Sequence, residues 1–412
     1  MQFIIKNIKG LIQAAENINN KVCGKEMSVL PIIENAYLII QDGLIYDYGS
    51  MEHCPQTDGE SIDGSGKYVF PSYIDAHTHL VFAGSREKEF ELRIKGASYE
   101  EIAAAGGGIL NSAHKLKDAS FESLYDAAFQ RIMDLVKLGT GAIEIKSGYG
   151  LNLASEIKML RVIKELKKNS PIKIKSTFLG AHAYPLAYKN NHEAYLDEII
   201  QKMLPQIAEE DLADYIDVFC DRGFFSPEET DKILKAGISY GLKPRIHANE
   251  LDYSGGIQVG VKNNALSVDH LEYTGDEEIK CLLQGNTMPI LLPSTAFFLG
   301  LHYPPARNII DSGLPLALAS DYNPGSSPSG NMNFVLSLAC IKLKMTPEEA
   351  INAATINAAC ALELENSHGS ISKGKAANLF ITKEINSYQY IPYNFGHNNI
   401  SSIILNGRVL NI

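Results

Sequence analysis

The first 68 residues alternate short apolar runs with turn residues, at the spacing of strands rather than helices. In AYLIIQDGLIYDYG, residues 36–49, two apolar runs flank Gln41-Asp42-Gly43, which predicts a tight hairpin. The far end repeats the pattern, because SSIILNGRVLNI, residues 401–412, carries Asn406-Gly407 between two apolar runs. The two ends, 1–68 and 369–412, therefore predict halves of one small β domain, with 69–368 inserted between them.

The insertion alternates strand-like and helix-like stretches. Eight β-rich apolar runs stand out: Val69–Asp75, Gly141–Ser147, Lys173–Gly180, Tyr215–Cys220, Lys243–Ala248, Ala265–Asp269, Thr287–Leu292 and Leu314–Ser320. Between most of them lie segments such as SEIKMLRVIKELKK, 155–168, with apolar residues at helical spacing. Strand and helix in alternation predict a parallel sheet, and eight such units predict an α/β fold of the (β/α)8, TIM-barrel type. About 65 residues separate the first run from the second, room for an insertion at the active site. There is no internal repeat or low-complexity tract.

Composition narrows the class. A net charge of −11 is unsuited to a nucleic-acid or membrane surface, which needs a basic face. Six cysteines are scattered singly with no CxxC pair, as expected of free thiols in a reducing compartment. With no signal-like start and no apolar run of about 18 residues, the chain reads as a cytoplasmic protein.

In such a barrel the chemistry collects at the C-terminal ends of the strands. The first run leads into Asp75-Ala76-His77-Thr78-His79, the third into His182, and the fifth into His247-Ala248-Asn249-Glu250. The sixth leads into Asp269-His270 and the eighth into Asp321-Tyr322-Asn323-Pro324-Gly325. In extended chain, His77 and His79 face the same side, since side chains alternate with period two. Both can then reach one metal at about 2.0–2.1 Å. A third histidine and an aspartate from across the barrel would complete a site with one position left for water. One HxH by itself is weak; its company at three other strand ends carries the reading.

These residues resemble the amidohydrolase superfamily and, within it, the imidazolonepropionase family. The carrying segments are PSYIDAHTHLVFAGSREKEFELRIKGASYEEIAAAGGGI (71–109), EIKSGYGL (144–151), TFLGAHA (177–183), DVFCDRGFF (217–225) and HANELDYSGG (247–256). SVDHL (267–271), ALASDYNPGSSP (317–328), TPEEAINAATINAACAL (346–362) and GSISKGKAANLFI (369–381) extend it over nearly the whole chain. Departures are small: Ser320 stands where many members have Thr, Asn378 where Asp is common, and Glu250 where some carry Gln.

The resemblance implies metal ligands at His77, His79, His247 and Asp321. It implies substrate contacts at Arg86, Tyr99, Tyr149, His182 and Glu250, with Asn323, Gly325 and Ser326 near the product end. The implied catalytic residues are Glu250, His270 and Asp321; spacing leaves open which is the general base. The implied reaction opens the cyclic amide of 4-imidazolone-5-propanoate to N-formimino-L-glutamate, in L-histidine degradation. A metal there would lower the pKa of water from 15.7 towards about 7 and supply the nucleophile. Arg86 would clamp the anionic propionate with its planar fork, and Tyr149, between Gly148 and Gly150, would be aimed inward by a tight turn.

Binuclear relatives bridge two metals through a lysine at the end of strand four, where this chain has Phe219-Cys220-Asp221. The strand-end lysine here is Lys146, on the second run, so one ion is expected, divalent or trivalent, zinc or iron. Gly106-Gly107-Gly108 reads as a flexible loop, a candidate lid, rather than a nucleotide loop. A homodimer is a further expectation of the resemblance. Two rivals share the barrel: a mononuclear purine or pyrimidine deaminase, which would not need Arg86 and Tyr149, and a non-catalytic scaffold, which would not keep all four ligands.

Overall fold

The computed structural model describes residues 2–15, 19–56, 59–97, 101 and 107–411. Both ends of the chain build one eight-stranded mixed sheet. Its strands are β1 (Gln2–Ile12), β2 (Ile32–Gln41), β3 (Leu44–Ser50), β4 (Glu60–Asp63) and β5 (Tyr68–Pro71) from the beginning. From the end come β14 (Leu379–Thr382), β15 (Ile400–Leu405) and β16 (Arg408–Asn411), and the order is β16-β15-β14-β5-β1-β2-β3, with β4 also on β1. The sheet closes around a core drawn from both ends, including Phe3, Ile5, Leu38, Ile40, Leu379, Ile381 and Ile404, consistent with a small β-sandwich domain.

Both expected hairpins form. Asp42 and Gly43 have φ of 52° and 85°, Asn406 and Gly407 of 49° and 71°, the left-handed pairs of two-residue primed turns. The two turns also meet: a Cβ on Gly407 would lie 2.6 Å from the Cα of Gly43. Only glycine allows that approach.

The insertion is a parallel barrel of β6 (Tyr73–Asp75), β7 (Thr140–Lys146), β8 (Lys173–Ala181), β9 (Tyr215–Cys220), β10 (Lys243–Ala248), β11 (Ser267–His270), β12 (Met288–Leu291) and β13 (Ala317–Leu318). Neighbours pair in chain order from β6 to β13. The expected run Val69–Asp75 is in fact two strands. Pro71 has no N–H to give, and Ser72 N donates to Asn378 O (2.9 Å) while Tyr73 N donates to Gly139 O (2.9 Å), so the chain changes sheets within one residue. The run Leu314–Ser320 likewise shortens to two paired residues. Its continuation closes the barrel through a single Thr78–Tyr322 bridge, with Asp321 N donating to His77 O (3.1 Å) and His79 N to Tyr322 O (2.9 Å). The barrel is thus sewn shut where its histidines lie.

Among its described residues, the long stretch after β6 carries helices Glu87–Ile94, Gly108–Asp118 and Phe121–Lys137. The amphipathic segment 155–168 lies in helix Leu153–Asn169, started by Asn152, whose side chain accepts from Ser155 N. Outward barrel residues such as Ile145, Val218, Ile246 and Val268 are buried in the main core between the barrel and its surrounding helices. Among the described residues, no helix is long and apolar enough to cross a membrane.

Candidate active site

β6 ends in Asp75, whose carboxylate accepts from Ser320 N (2.9 Å) and from the Ser320 hydroxyl, tying the first strand to the last. Just beyond, His77 and His79 point across the barrel mouth to His247, at the end of β10. The Nε2 atoms of His77 and His79 are 3.3 Å apart, those of His79 and His247 3.4 Å. Asp321 Oδ1 lies 3.5 Å from Nε2 of His77 and 3.4 Å from Nε2 of His79. Ligand bonds of about 2.0–2.1 Å in a tetrahedron put ligand atoms about 3.3–3.4 Å apart. Four ligand-atom separations match that spacing. Ligand atoms of His77, His79 and His247 all lie within 4.8 Å of one another, as do those of His77, His270 and Asp321, so the cluster suits a metal ion. These are lone-pair atoms that repel one another without a cation between them.

Burial, reinforced by Lys146 and the neighbouring histidines, holds His77 well below the usual imidazole range; burial also lowers His79. Neutral imidazoles are what a metal takes. Burial would raise Asp321, but His79, His270 and a hydrogen bond from Thr295 Oγ1 (2.6 Å) outweigh it and keep the carboxyl ionised. Two hidden carboxylates hold the histidines from behind. Asp269 Oδ2 is 2.7 Å from Nδ1 of His77, and Asp217 Oδ2 is 2.9 Å from Nδ1 of His247.

Around this cluster stand the other expected residues. His182 stacks on His79 with ring centroids 5.3 Å apart, and its Nδ1 meets Gly148 O at 3.0 Å. The Tyr149 ring is 5.6 Å from His182 and 5.9 Å from His79, and burial raises its hydroxyl above the ordinary range. The Arg86 guanidinium lies 5.7 Å from the Tyr149 ring, and its Nε donates to Ser112 Oγ at 2.9 Å. Glu89 Oε1 is 4.0 Å from Arg86 Nε, a loose ion pair on the side of the guanidinium away from its Nη atoms. A cavity of about 520 Å³ opens beside Arg86, bounded by Phe82, Phe90, Arg131, Phe298 and Tyr322.

His270, with φ of 86°, places Nδ1 3.7 Å from Glu250 Oε2 and 3.9 Å from Glu272 Oε2. Burial lowers His270 to about 3. Burial, with Asp321 and Asp221 nearby, pushes Glu250 well above the usual carboxyl range. In the turn after Asp321, Asn323 is spent internally: its Oδ1 accepts from Gly325 N (2.7 Å) and Ser326 N (2.8 Å), and its Nδ2 donates to Asp321 O (2.7 Å). Ser326 Oγ reaches Asp321 Oδ2 at 3.2 Å. Tyr99 and Gly106 lie outside the described residues.

Several site residues were invisible in the runs. Asp217 sits inside a strand read as apolar, at an inward position of the period-two pattern, and Asp269, noted at its strand end, carried no expected role. Glu156 accepts from Gly148 N (3.0 Å), Gly150 N (2.6 Å) and Leu151 N (3.0 Å), fixing the turn that presents Tyr149. Glu272 is fully enclosed, with neither carboxyl oxygen hydrogen-bonded. The one available signal was a charged residue at an inward position of an otherwise apolar run, as at Asp217 and Arg245.

A model of the amidohydrolase family matches residues 68–410. An imidazolonepropionase of Flavobacterium johnsoniae is 58% identical over 408 residues, covering 99% of each chain. This chain belongs to the imidazolonepropionase family of amidohydrolases. Other relatives so named include those of Christiangramia forsetii, 55% identical over the full length of both chains, and of a Geobacillus species, 40% identical over 98% of this chain and 97% of that one. Among solved structures, the guanine deaminase from C. acetobutylicum superposes with a TM-score of 0.74 over the whole of both chains at 17% identity. The Arthrobacter aurescens triazine hydrolase gives 0.74 over all of this chain and 94% of that one, at 14%. Those two likenesses establish the fold that the imidazolonepropionase family shares with other hydrolases and deaminases.

Proposed function

We propose that this chain hydrolyses the cyclic amide of 4-imidazolone-5-propanoate to N-formimino-L-glutamate, the imidazolonepropionase step of L-histidine degradation. The observation that carries the reading is the convergence of His77, His79, His247 and Asp321 at the barrel mouth, with the Arg86 guanidinium lining the adjoining cavity. These four residues would hold one zinc or iron ion. When bound, it supplies Lewis acidity and lowers the pKa of a water to near neutrality.

The remaining work falls to the protein's own side chains. Arg86 takes the propionate, whose charge it matches, while Tyr149 and His182 wall the ring. Asp321, held ionised, accepts the proton of the attacking water. His270, neutral, orients that water towards the ring carbonyl. As the carbonyl carbon–nitrogen bond breaks, Glu250, kept protonated by burial, donates to the departing nitrogen. Splitting acid and base roles between two carboxyls with opposed environments is a recurrent device of such sites. The 323–326 turn, with Asn323 as its internal brace, places Gly325 and Ser326 against the product's new carboxylate. Tyr99 completes the proposed substrate contacts. The substrate is thus an anion met by local positive charge, despite the acidic surface. We place the first division of the chain at Ser72, where it changes sheets, rather than at 68/69, because β5 belongs to the terminal sheet; we place the second at 368/369, and the protein in the cytoplasm as a homodimer.

The test is ring opening. Purified protein should hydrolyse 4-imidazolone-5-propanoate and leave guanine and cytosine untouched, and its metal content should approach one equivalent. Turnover of a nucleobase without ring opening would favour the deaminase reading. Less than about half an equivalent of tightly held metal, with no turnover, would favour a scaffold.

A further inference from the structure

Directly beneath the four converging ligand atoms, the barrel interior is filled with charge instead of apolar side chains. Lys146 Nζ, at the end of β7, lies 2.7 Å from Glu144 Oε1, 2.8 Å from Asp217 Oδ2 and 3.8 Å from Asp269 Oδ2, and all four side chains are wholly enclosed. Each aspartate serves a different ligand histidine. Asp217 Oδ2, the oxygen nearest Lys146, is also the one 2.9 Å from Nδ1 of His247, and Asp217 Oδ1 accepts from His247 N at 3.1 Å. Asp269 Oδ2 is shared among Nδ1 of His77 (2.7 Å), Nη2 of Arg245 (3.4 Å) and Lys146. Of these contacts the one between Asp269 and His77 is a formed hydrogen bond, whereas His247 meets Asp217 as a close ion-pair contact and Nδ1 of His79 has no carboxylate behind it among the described residues.

We infer that Lys146 is a positioning residue of the metal site, holding His77 and His247 in register through Asp269 and Asp217. The inference rests on the metal reading above. An imidazole ligates through Nε2 when its proton sits on Nδ1, and a carboxylate behind Nδ1 fixes that tautomer and the ring plane. Two aspartates facing one cavity would repel each other and swing away from the rings. Lys146 lies between them and draws both carboxylates under the site, so one ammonium sets the aim of two ligands on β6 and β10. Glu144 anchors the ammonium from the far side. Its Oε1 also accepts from Thr177 Oγ1, and its Oε2 accepts from Thr78 N (3.3 Å), the residue between the two HxH histidines. The lysine that cannot bridge two metals from this strand thus acts on one metal from below.

The experiment replaces Lys146→Met, which keeps length and removes charge, alone and together with Glu144→Gln, which restores the local charge balance if the single variant fails to fold. The readouts are zinc dissociation constants against a chromophoric chelator, the visible ligand-field spectrum of the cobalt(II) form, and melting temperature with and without metal. We expect a loss of about 10–100-fold in zinc affinity, the range for ligand-supporting residues. The cobalt bands should shift, and Asp217→Asn added to Lys146→Met should cost much less than it does alone. Folded variants with zinc affinity within twofold of the parent and an unchanged cobalt spectrum would overturn the inference, leaving Lys146 a core ion pair. If neither variant folds, nitrogen-15 spectra of the metal-free parent decide: a proton on Nδ1 of both His77 and His247 supports it, and a proton on Nε2 of either overturns it. A parent protein that holds no metal, or holds it equally well after His77→Ala, would instead remove the metal reading itself.

Discussion

Gly325→Ala should weaken substrate binding through Arg86. A Cβ built on Gly325 lies 2.4 Å from Nη1 of Arg86 and 3.1 Å from its Cζ. Ordinary van der Waals contact begins near about 3.4 Å, so the guanidinium must retreat by about 1 Å. It has little freedom to do so in place. Ser112 Oγ holds Nε at 2.9 Å, and Tyr149 lies along the side chain with its ring 5.7 Å from Cζ. A misplacement of about 1 Å at a positioning group costs up to about 100-fold, or about 2.7 kcal/mol at 1.4 kcal/mol per tenfold. We expect KM for 4-imidazolone-5-propanoate to rise about 10–100-fold, with kcat changed less than about threefold, because the propionate clamp acts in ground and transition states alike. Steady-state kinetics on Gly325→Ala, Arg86→Ala and the double variant form a cycle. If Gly325 acts through Arg86, adding the methyl to Arg86→Ala should cost almost nothing further. A full 10–100-fold loss in that background would refute the steric account and mean that the turn itself meets the substrate.

Asp321→Ala should remove metal and activity together, because the carboxylate both closes the ligand tetrahedron and braces the 323–326 turn; one equivalent of zinc retained at parental affinity would refute its place among the ligands. Gly407→Ala must fit a Cβ 2.6 Å from the Cα of Gly43 at a φ of 71° and should cost about 1–3 kcal/mol in chemical unfolding; an unchanged midpoint would mean that the two chain ends do not depend on their meeting turns. His368 is held down to about 4 by burial and then by Lys173 and Lys375. Its folded value lies below the unfolded one of about 6.5, so the unfolded chain takes up a proton first as pH falls, and stability drops from about pH 6.5 towards 4. His368→Gln should lose less stability than the parent across that window, and parallel melting profiles would refute the assignment.

The architecture was legible because outward-facing barrel positions and helix faces carry regular apolar periodicity: Ile145, Val218, Ile246 and Val268 announce strands whichever way their neighbours point. The site was legible for a different reason. Strand ends are where the barrel exposes side chains, so histidines there stand out against an apolar run. What stayed hidden lies one layer down. Glu144, Asp217, Arg245 and Asp269 occupy inward positions where an apolar filling would be the ordinary expectation, and their charges cancel only in three dimensions, across four strands. A linear pattern shows a charged residue inside a strand as noise; it cannot show that the partner sits on the next strand but one. The same holds for the split of the first run, where Pro71 and Ser72 move the chain between sheets without interrupting its apolar character. The net surface charge is equally uninformative about the site, since the cations that matter there, Arg86, Lys146 and Arg245, are withdrawn from solvent. Two of them serve the protein's own carboxylates. Arg86 instead lines the cavity, with Glu89 only a loose partner at 4.0 Å, and that position, more than the count of charges, marks where an anionic substrate goes.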